Sequence, residues 1–282
     1  MTSTKIEQIN SPIAKACAIT FQGNASNKRQ QDALFFIDNY YQERIGVTDV
    51  VATHLPMCLA VSDGVASSNY SQHCSKAVVK AIKTLVINQQ SLTASKIHQL
   101  ITQTKHHVKR YGASATLAML EVTINRRQES VKARITHVGD SRVYRLSKGS
   151  SHWHCLTRDQ NLLNDLVDEQ MQAKDEQASV SDYNKTGMAS MLYSITECFS
   201  LSTNDGFNSE APKSEVDTID IYSGDSLLIC TDGIHDLVPS DHWELIDDNT
   251  DLQQWLLGLK RQVYQSKGNA YDNGTAIVVL FK

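Results

Sequence analysis

"LLICTDGIHD", residues 227 to 236, reads as a strand made for a protein interior, since Leu227, Leu228, Ile229 and Cys230 run without a polar break. The run then ends on Thr231, Asp232 and Gly233. The same figure stands earlier in "MCLAVSDGVAS", where Met57 to Val61 lead into Ser62, Asp63 and Gly64. A core strand that finishes on a carboxylate needs a reason, because an unpaired charge at the edge of an apolar core is costly.

Other apolar runs share the character of this one. Strand-like segments stand at 16–21, 33–38, 57–63, 114–124, 131–140, 142–146, 216–222, 226–232 and 275–281, rich in β-branched and aromatic residues and bounded by turn formers. In 131–135, Val131, Ala133 and Ile135 alternate with Lys132 and Arg134, which predicts a strand with one buried face. Helical spacing shows in three stripes. The first holds Cys74, Ala77, Val78, Ala81, Ile82, Leu85 and Val86; the second Ile97, Leu100, Ile101, Val108 and Tyr111; the third Leu252, Trp255, Leu256, Leu259 and Val263. Thr250 is the expected N-cap of the third, with Gly112 and Gly268 as stops. Strands come in blocks and helices do not alternate with them, so the expected class is α+β, with antiparallel sheets carrying helices. The polar stretch of about 159–212 reads as a flap inserted into one domain spanning 1–282.

Composition excludes several functions. Lys plus Arg number 27 and Asp plus Glu 31, a net charge of −4, too mild for a nucleic-acid surface. No stretch approaches the ~20 apolar residues of a membrane span. The six cysteines are scattered without paired spacing, as in a reducing compartment. The expectation is a cytoplasmic monomer without nucleic-acid or membrane partners.

Five acids stand at strand ends or in tight turns beside them: Asp32 in "QQDALFF", Asp63, Asp140 in "VGDSR", Asp232, and Asp272 in "AYDNGTAIVV". Taken singly, each is an ordinary turn residue, and Asp140 has a ready partner in Arg142. Taken together they carry chemistry. Two carboxylates ~4 Å apart at an effective dielectric near 20 repel by about 4 kcal/mol, so a cluster of them calls for cations. An all-oxygen donor set without neighbouring His or Cys favours Mg²⁺ or Mn²⁺ over zinc. Two such ions ~3.5–4 Å apart suit in-line attack of water on a phosphate ester.

The series of motifs resembles the metal-dependent protein phosphatases, the type 2C serine/threonine family, over residues 16 to 281. "QQDALFF" is similar to its N-[EQ]-D-A element, "VSDGVASS" to D-G-x-G-G, "GASATLAML" to G-[ST]-T-A and "HVGDSRVYRL" to the G-D-S-R hairpin. "LTRDQN" echoes L-T-x-D-H-S, and "GDSLLICTDGIHD" and "YDNGTAIVV" match the strands that deliver the last acids. The resemblance implies a four-layer α-β-β-α sandwich, bacterial in type, that hydrolyses phosphoserine and phosphothreonine. It makes Asp63 and Asp232 the catalytic acids and assigns metal ligation to Asp32, Asp63, the Gly64 carbonyl, Asp232 and Asp272, with Asp140 on a third ion. Ser114 and Thr116 become structural. The implied partner is a phosphorylated protein, a serine/threonine kinase or its targets.

Departures from the family pattern keep a second reading open, that of a phosphatase-like module binding phosphoproteins without turnover. The family's phosphate-binding Arg falls on Asn27, leaving Lys28 or Arg29 to reach the phosphate. Val65 and Ala66 stand where eukaryotic members carry His and Gly, so water must protonate the leaving oxygen, and Gln160 replaces a His. Of the other histidines, His137 reads as a satisfied, partly buried ring and His106 and His107 as the exposed side of a helix. His235 stands near the site without an assigned role.

Overall fold

The computed structural model describes residues 13–24, 29–43, 46–65, 67–68, 70–103, 113–125, 130–174, 189–201, 210–266 and 271–282. Strands β1 (Ala14–Phe21), β2 (Ala33–Phe36), β3 (Asn39–Tyr41), β4 (Gly46–Val47), β5 (Val51–Thr53) and β6 (Met57–Ser62) precede helices α1 (Ser71–Ile87) and α2 (Ala94–Gln103). Strands β7 (Ser114–Ala115), β8 (Leu117–Asn125), β9 (Ser130–Val138), β10 (Arg142–Leu146) and β11 (His154–Cys155) follow, then helices α3 (Leu162–Lys174) and α4 (Ala189–Leu192). The chain continues with β12 (Phe199–Ser200), β13 (Glu215–Ile221), β14 (Ser226–Cys230), α5 (Asp232–His235), α6 (Leu252–Gln265) and β15 (Gly274–Phe281).

The strands form two large antiparallel sheets. One runs β11-β10-β14-β15-β1-β4, with β5 also on β1, and the other runs β13-β9-β8-β6-β2-β3. Alternation explains why they stack. On β1, Ala14, Ala16 and Ala18 face the second sheet, joining Leu59, Val61, Leu120, Ile229 and Val279, while Cys17, Ile19 and Phe21 turn to the opposite side. There they meet Trp255, Leu256, Leu259 and Val263 of α6. The far face of the second sheet packs Phe35, Leu117 and Met119 against Cys74, Val78, Ile82 and Leu85 of α1 and Ile97 and Ile101 of α2. The order is therefore helix, sheet, sheet, helix, the expected four-layer sandwich. Strands β14 and β15 bury both faces, which is why they read as unbroken apolar runs.

In β9, Ala133 and Ile135 are buried, whereas Val131, expected on the same face, is half-buried like Lys132 and Arg134. The short strands β3, β4, β5, β11 and β12 and helix α3 were not legible in the sequence. Val108, Tyr111, Gly112, Gly268, His106 and His107 lie outside the described residues. Among the described residues, no helix is long and apolar enough to cross a membrane.

The cap of α6 is corrected by one residue. Asp251, not Thr250, accepts from the backbone N–H groups of Gln253 and Gln254 at 3.0 and 3.2 Å. Thr250 is occupied elsewhere, donating its hydroxyl to Asp247 Oδ1 at 3.0 Å. Asp251→Ala is expected to cost about 1 kcal/mol of stability in urea unfolding, the usual worth of an N-cap. Thr250→Ala is expected to change it by less than half as much.

Candidate metal centre

All five acids arrive at one end of the paired sheets. Strand β2 enters opposite the exit of β6, with Ala33 paired to Ser62, which sets Asp32 beside Asp63. Strand β14 leaves beside the entry of β15, with Cys230 paired to Ala276, and β10 enters opposite the same residue through Arg142. Asp232 and Asp272 therefore come from neighbouring strands, and the Gly139–Asp140 turn sits next to them.

Each acid is held by its own local contacts. Asp32 is buried and accepts the Thr231 hydroxyl at 2.9 Å from 199 residues away. Its neighbour Gln31 donates from Nε2 to Ser71 and accepts at its carbonyl from Ser75, tying the entry of β2 to α1. The Asp63 N–H donates to Thr116 Oγ1 at 3.1 Å, and the Asp63 carbonyl accepts from Thr116 N–H at 2.9 Å. Gly64 bridges Ala115, and its carbonyl takes part in neither bond. Thr116 is thus the structural residue its motif implies.

Asp232 opens α5, and Gly233 lies so close to the Asn273 carbonyl that any Cβ would collide with it. That contact is why Gly follows Asp here. The Asp272 carboxylate accepts from Asn273 N–H at 2.8 Å, and Asn273 Nδ2 donates to the Arg29 carbonyl at 3.1 Å. Gly139, at φ 94°, turns the chain against Thr116, and Gln160 clamps it with two bonds. Gln160 Oε1 accepts from Gly139 N–H at 2.8 Å, and Gln160 N–H donates to the Gly139 carbonyl at 2.9 Å.

Electrostatics unite the five. Burial pushes Asp32 up to about 7, and the charge of Asp232 adds to it. Asp63 is raised well above the carboxylate range by burial, then by Asp232 and Asp32; Asp140 likewise by burial, then by Asp232 and Asp159. Asp272 is raised by burial and by Asp232. Asp232 is the charge common to all four. Asp32, Asp140 and Asp232 each carry a buried Oδ1 without a hydrogen-bond partner among the described residues. Among those residues no three His, Cys, Asp or Glu side chains form a closed ligand set for one ion. The rim consists instead of carboxyl–carboxyl contact and orphaned oxygens, a donor set that fits hard divalent cations and no softer group.

The local alternative for Asp140 is excluded. Arg142 turns away and makes a bidentate pair with Asp159 at 2.8 and 2.6 Å. Asp159 went unassigned in the sequence, where nothing but the motif echo marks it. His137 departs from its expected satisfied state: it is buried, and neither nitrogen has a hydrogen-bond partner among the described residues. Burial pushes it down to about 4, so it stands neutral. His235, unassigned from the sequence, is buried between α5 and the Asp140 turn. Arg29 is exposed; Asn27, Lys28 and Ala66 lie outside the described residues.

A family model described as protein phosphatase 2C matches residues 26–258. Among solved structures, the chain is similar to the Mycobacterium tuberculosis serine/threonine phosphatase PstP/Ppp, with a TM-score of 0.65 at 16% identity over 96% of this chain and 99% of that one. A second structure of the PstP catalytic domain, in complex with two manganese ions, gives 0.61 at 17% identity over 95% and 97%. Stp1 from Staphylococcus aureus gives 0.66 at 17% identity over 95% and 94%. At such identities the likeness establishes the fold. A search of curated proteins found no match.

The raised acids fix the sign of a pH effect. Asp32 in the folded protein keeps its proton to about 7 against an ordinary 3.8, so its stabilising contribution is complete below about 4 and is lost as pH rises through about 7. His137, depressed to about 4, acts oppositely: its contribution is present above 6.5 and lost as pH falls towards 4. In chelator-treated protein, Asp32→Asn is expected to remove the first effect alone. The difference in Tm between variant and parent should grow in the variant's favour from pH 5 to pH 7.5, measured by differential scanning fluorimetry.

Proposed function

The chain belongs to the protein phosphatase 2C family, and on that premise we propose that it is a serine/threonine phosphatase using two Mn²⁺ or Mg²⁺ ions. The observation that carries the reading is the position of Asp232, whose charge bears on Asp32, Asp63, Asp140 and Asp272 at once. Asp32, Asp63, Asp232 and Asp272, with the Gly64 carbonyl, would hold the pair, and Asp140 with Asp232 a third ion. The manganese pair described for the PstP catalytic domain supports this choice of metal. Bound there, the ions would supply Lewis acidity, acidifying water and neutralising the oxygens of a phosphoryl group.

The chain's own part is to hold its acids in register and to leave one side of the centre open. Asp32 is buried while Asp63, Asp140, Asp232 and Asp272 are half-buried, so the cluster reaches solvent at the sheet ends, where a phosphorylated side chain enters. Arg29, exposed and with its backbone tied to Asn273, is the cation proposed to meet the phosphate. Burial raises the thiols of Cys17, Cys58, Cys74, Cys198 and Cys230, which holds these five away from the thiolate form a nucleophile needs. The proposed substrates are phosphorylated proteins, a serine/threonine kinase or its targets, met by one catalytic domain spanning the chain.

Asp232→Asn is expected to remove manganese-dependent hydrolysis of a phosphothreonine peptide by more than the roughly 100-fold typical of an outer-shell change. Activity retained within tenfold would overturn the assignment. Manganese uptake by the parent protein without any turnover would assign a phosphoprotein-binding module instead.

A further inference from the structure

His235 closes α5, the short helix that Asp232 opens, and its side chain is only 2% exposed. Nε2 lies 3.1 Å from the backbone carbonyl of Asp140. A carbonyl only accepts, so the proton of this bond sits on Nε2. On its other side, Nδ1 stands 3.0 Å from the Asp236 carboxylate. The imidazole therefore joins two chain segments that carry like charges, the helix of Asp232 and the turn of Asp140.

The segments have reason to separate. Asp140 and Asp232 each carry a buried Oδ1 without a hydrogen-bond partner among the described residues. Gln160 holds the turn at Gly139 and Thr116 holds it at the Ser141 hydroxyl, one residue to either side of the acid. The contact with His235 is made to Asp140 itself. Apolar packing does not explain a ring placed this way, since a Leu of similar volume would fill the space and leave the Asp140 carbonyl without a donor.

Resting on the metal reading above, we infer that His235 is a positioning residue that sets the spacing of Asp140 from Asp232 and thereby forms the third cation site between them, the weaker one because only these two carboxylates, one of them shared with the pair, serve it. It touches neither substrate nor metal. It acts through the backbone of Asp140, as outer hydrogen bonds do when they orient ligands.

Manganese binding by isothermal titration calorimetry on the full chain tests this, with His235→Leu keeping the volume, His235→Gln keeping a donor, and Asp140→Asn as background. His235→Leu is expected to weaken the lower-affinity manganese class by about 10- to 100-fold, leaving the tight class unchanged. His235→Gln should stay within about threefold of the parent, and His235→Leu should add nothing in the Asp140→Asn background. An unchanged isotherm for His235→Leu, an equal loss in His235→Gln, or a further loss in the Asp140→Asn background would each overturn the inference. Should His235→Leu fail to fold, as judged by its melting curve, His235→Ala, which removes the donor without adding bulk, is read beside His235→Gln: loss of the weaker class in His235→Ala alone sustains the inference, and equal isotherms for the two sink it. A parent protein that takes up no manganese sinks the metal reading and this inference together; parent binding with an indifferent His235 sinks only the latter.

Discussion

The fold is organised around a repulsion. Five carboxylates share the end of a sandwich, and Asp232 bears on the other four. Their charges oppose the arrangement, so the frame must hold it. It does so with bonds aimed at the neighbours of each acid more than at the acids: Thr116 on the backbone of Asp63, Gln160 on Gly139, Asn273 on Arg29. The carboxylate oxygens are left largely uncommitted, the condition a hard cation needs in order to displace protons from them.

Rigidity at the rim follows from burial behind it. Strands β14 and β15 are apolar on both faces because one face meets the opposite sheet and the other meets α6. A strand pinned on both sides cannot slip by one residue without turning its whole inner set outward. The positions of Asp232 and Asp272 are thus fixed by Leu227, Leu228, Ile229 and the run from Ala276 to Leu280, residues that never approach the site chemistry.

Much of this was legible in the sequence, and the limits have physical causes. Long strands declare themselves through apolar alternation or unbroken apolar runs, and the α1 and α6 stripes are regular, so layers and strand ends followed. Two-residue strands such as β4 and β11 carry no period at all, and α3 lies in a segment whose polar composition masks it. At the site, the acids were identified by shared context, a carboxylate after an apolar run. Their supports were not, because partners such as Thr231 for Asp32, Asp159 for Arg142 and His235 for the Asp140 carbonyl are set by tertiary contact across long sequence separations. No local pattern distinguishes Arg142 turning to Asp159 from Arg142 pairing with Asp140.

The place of β15 has its own consequence. It lies between β1 and β14, so the sheet's central seam is closed by its latest-made strand. On the ribosome, every earlier segment can emerge while β1 and β14 each still lack the strand that joins them and Asp272 has not been added. A growing chain therefore carries open apolar edges, and its acid cluster stays incomplete until residues 272–281 thread home.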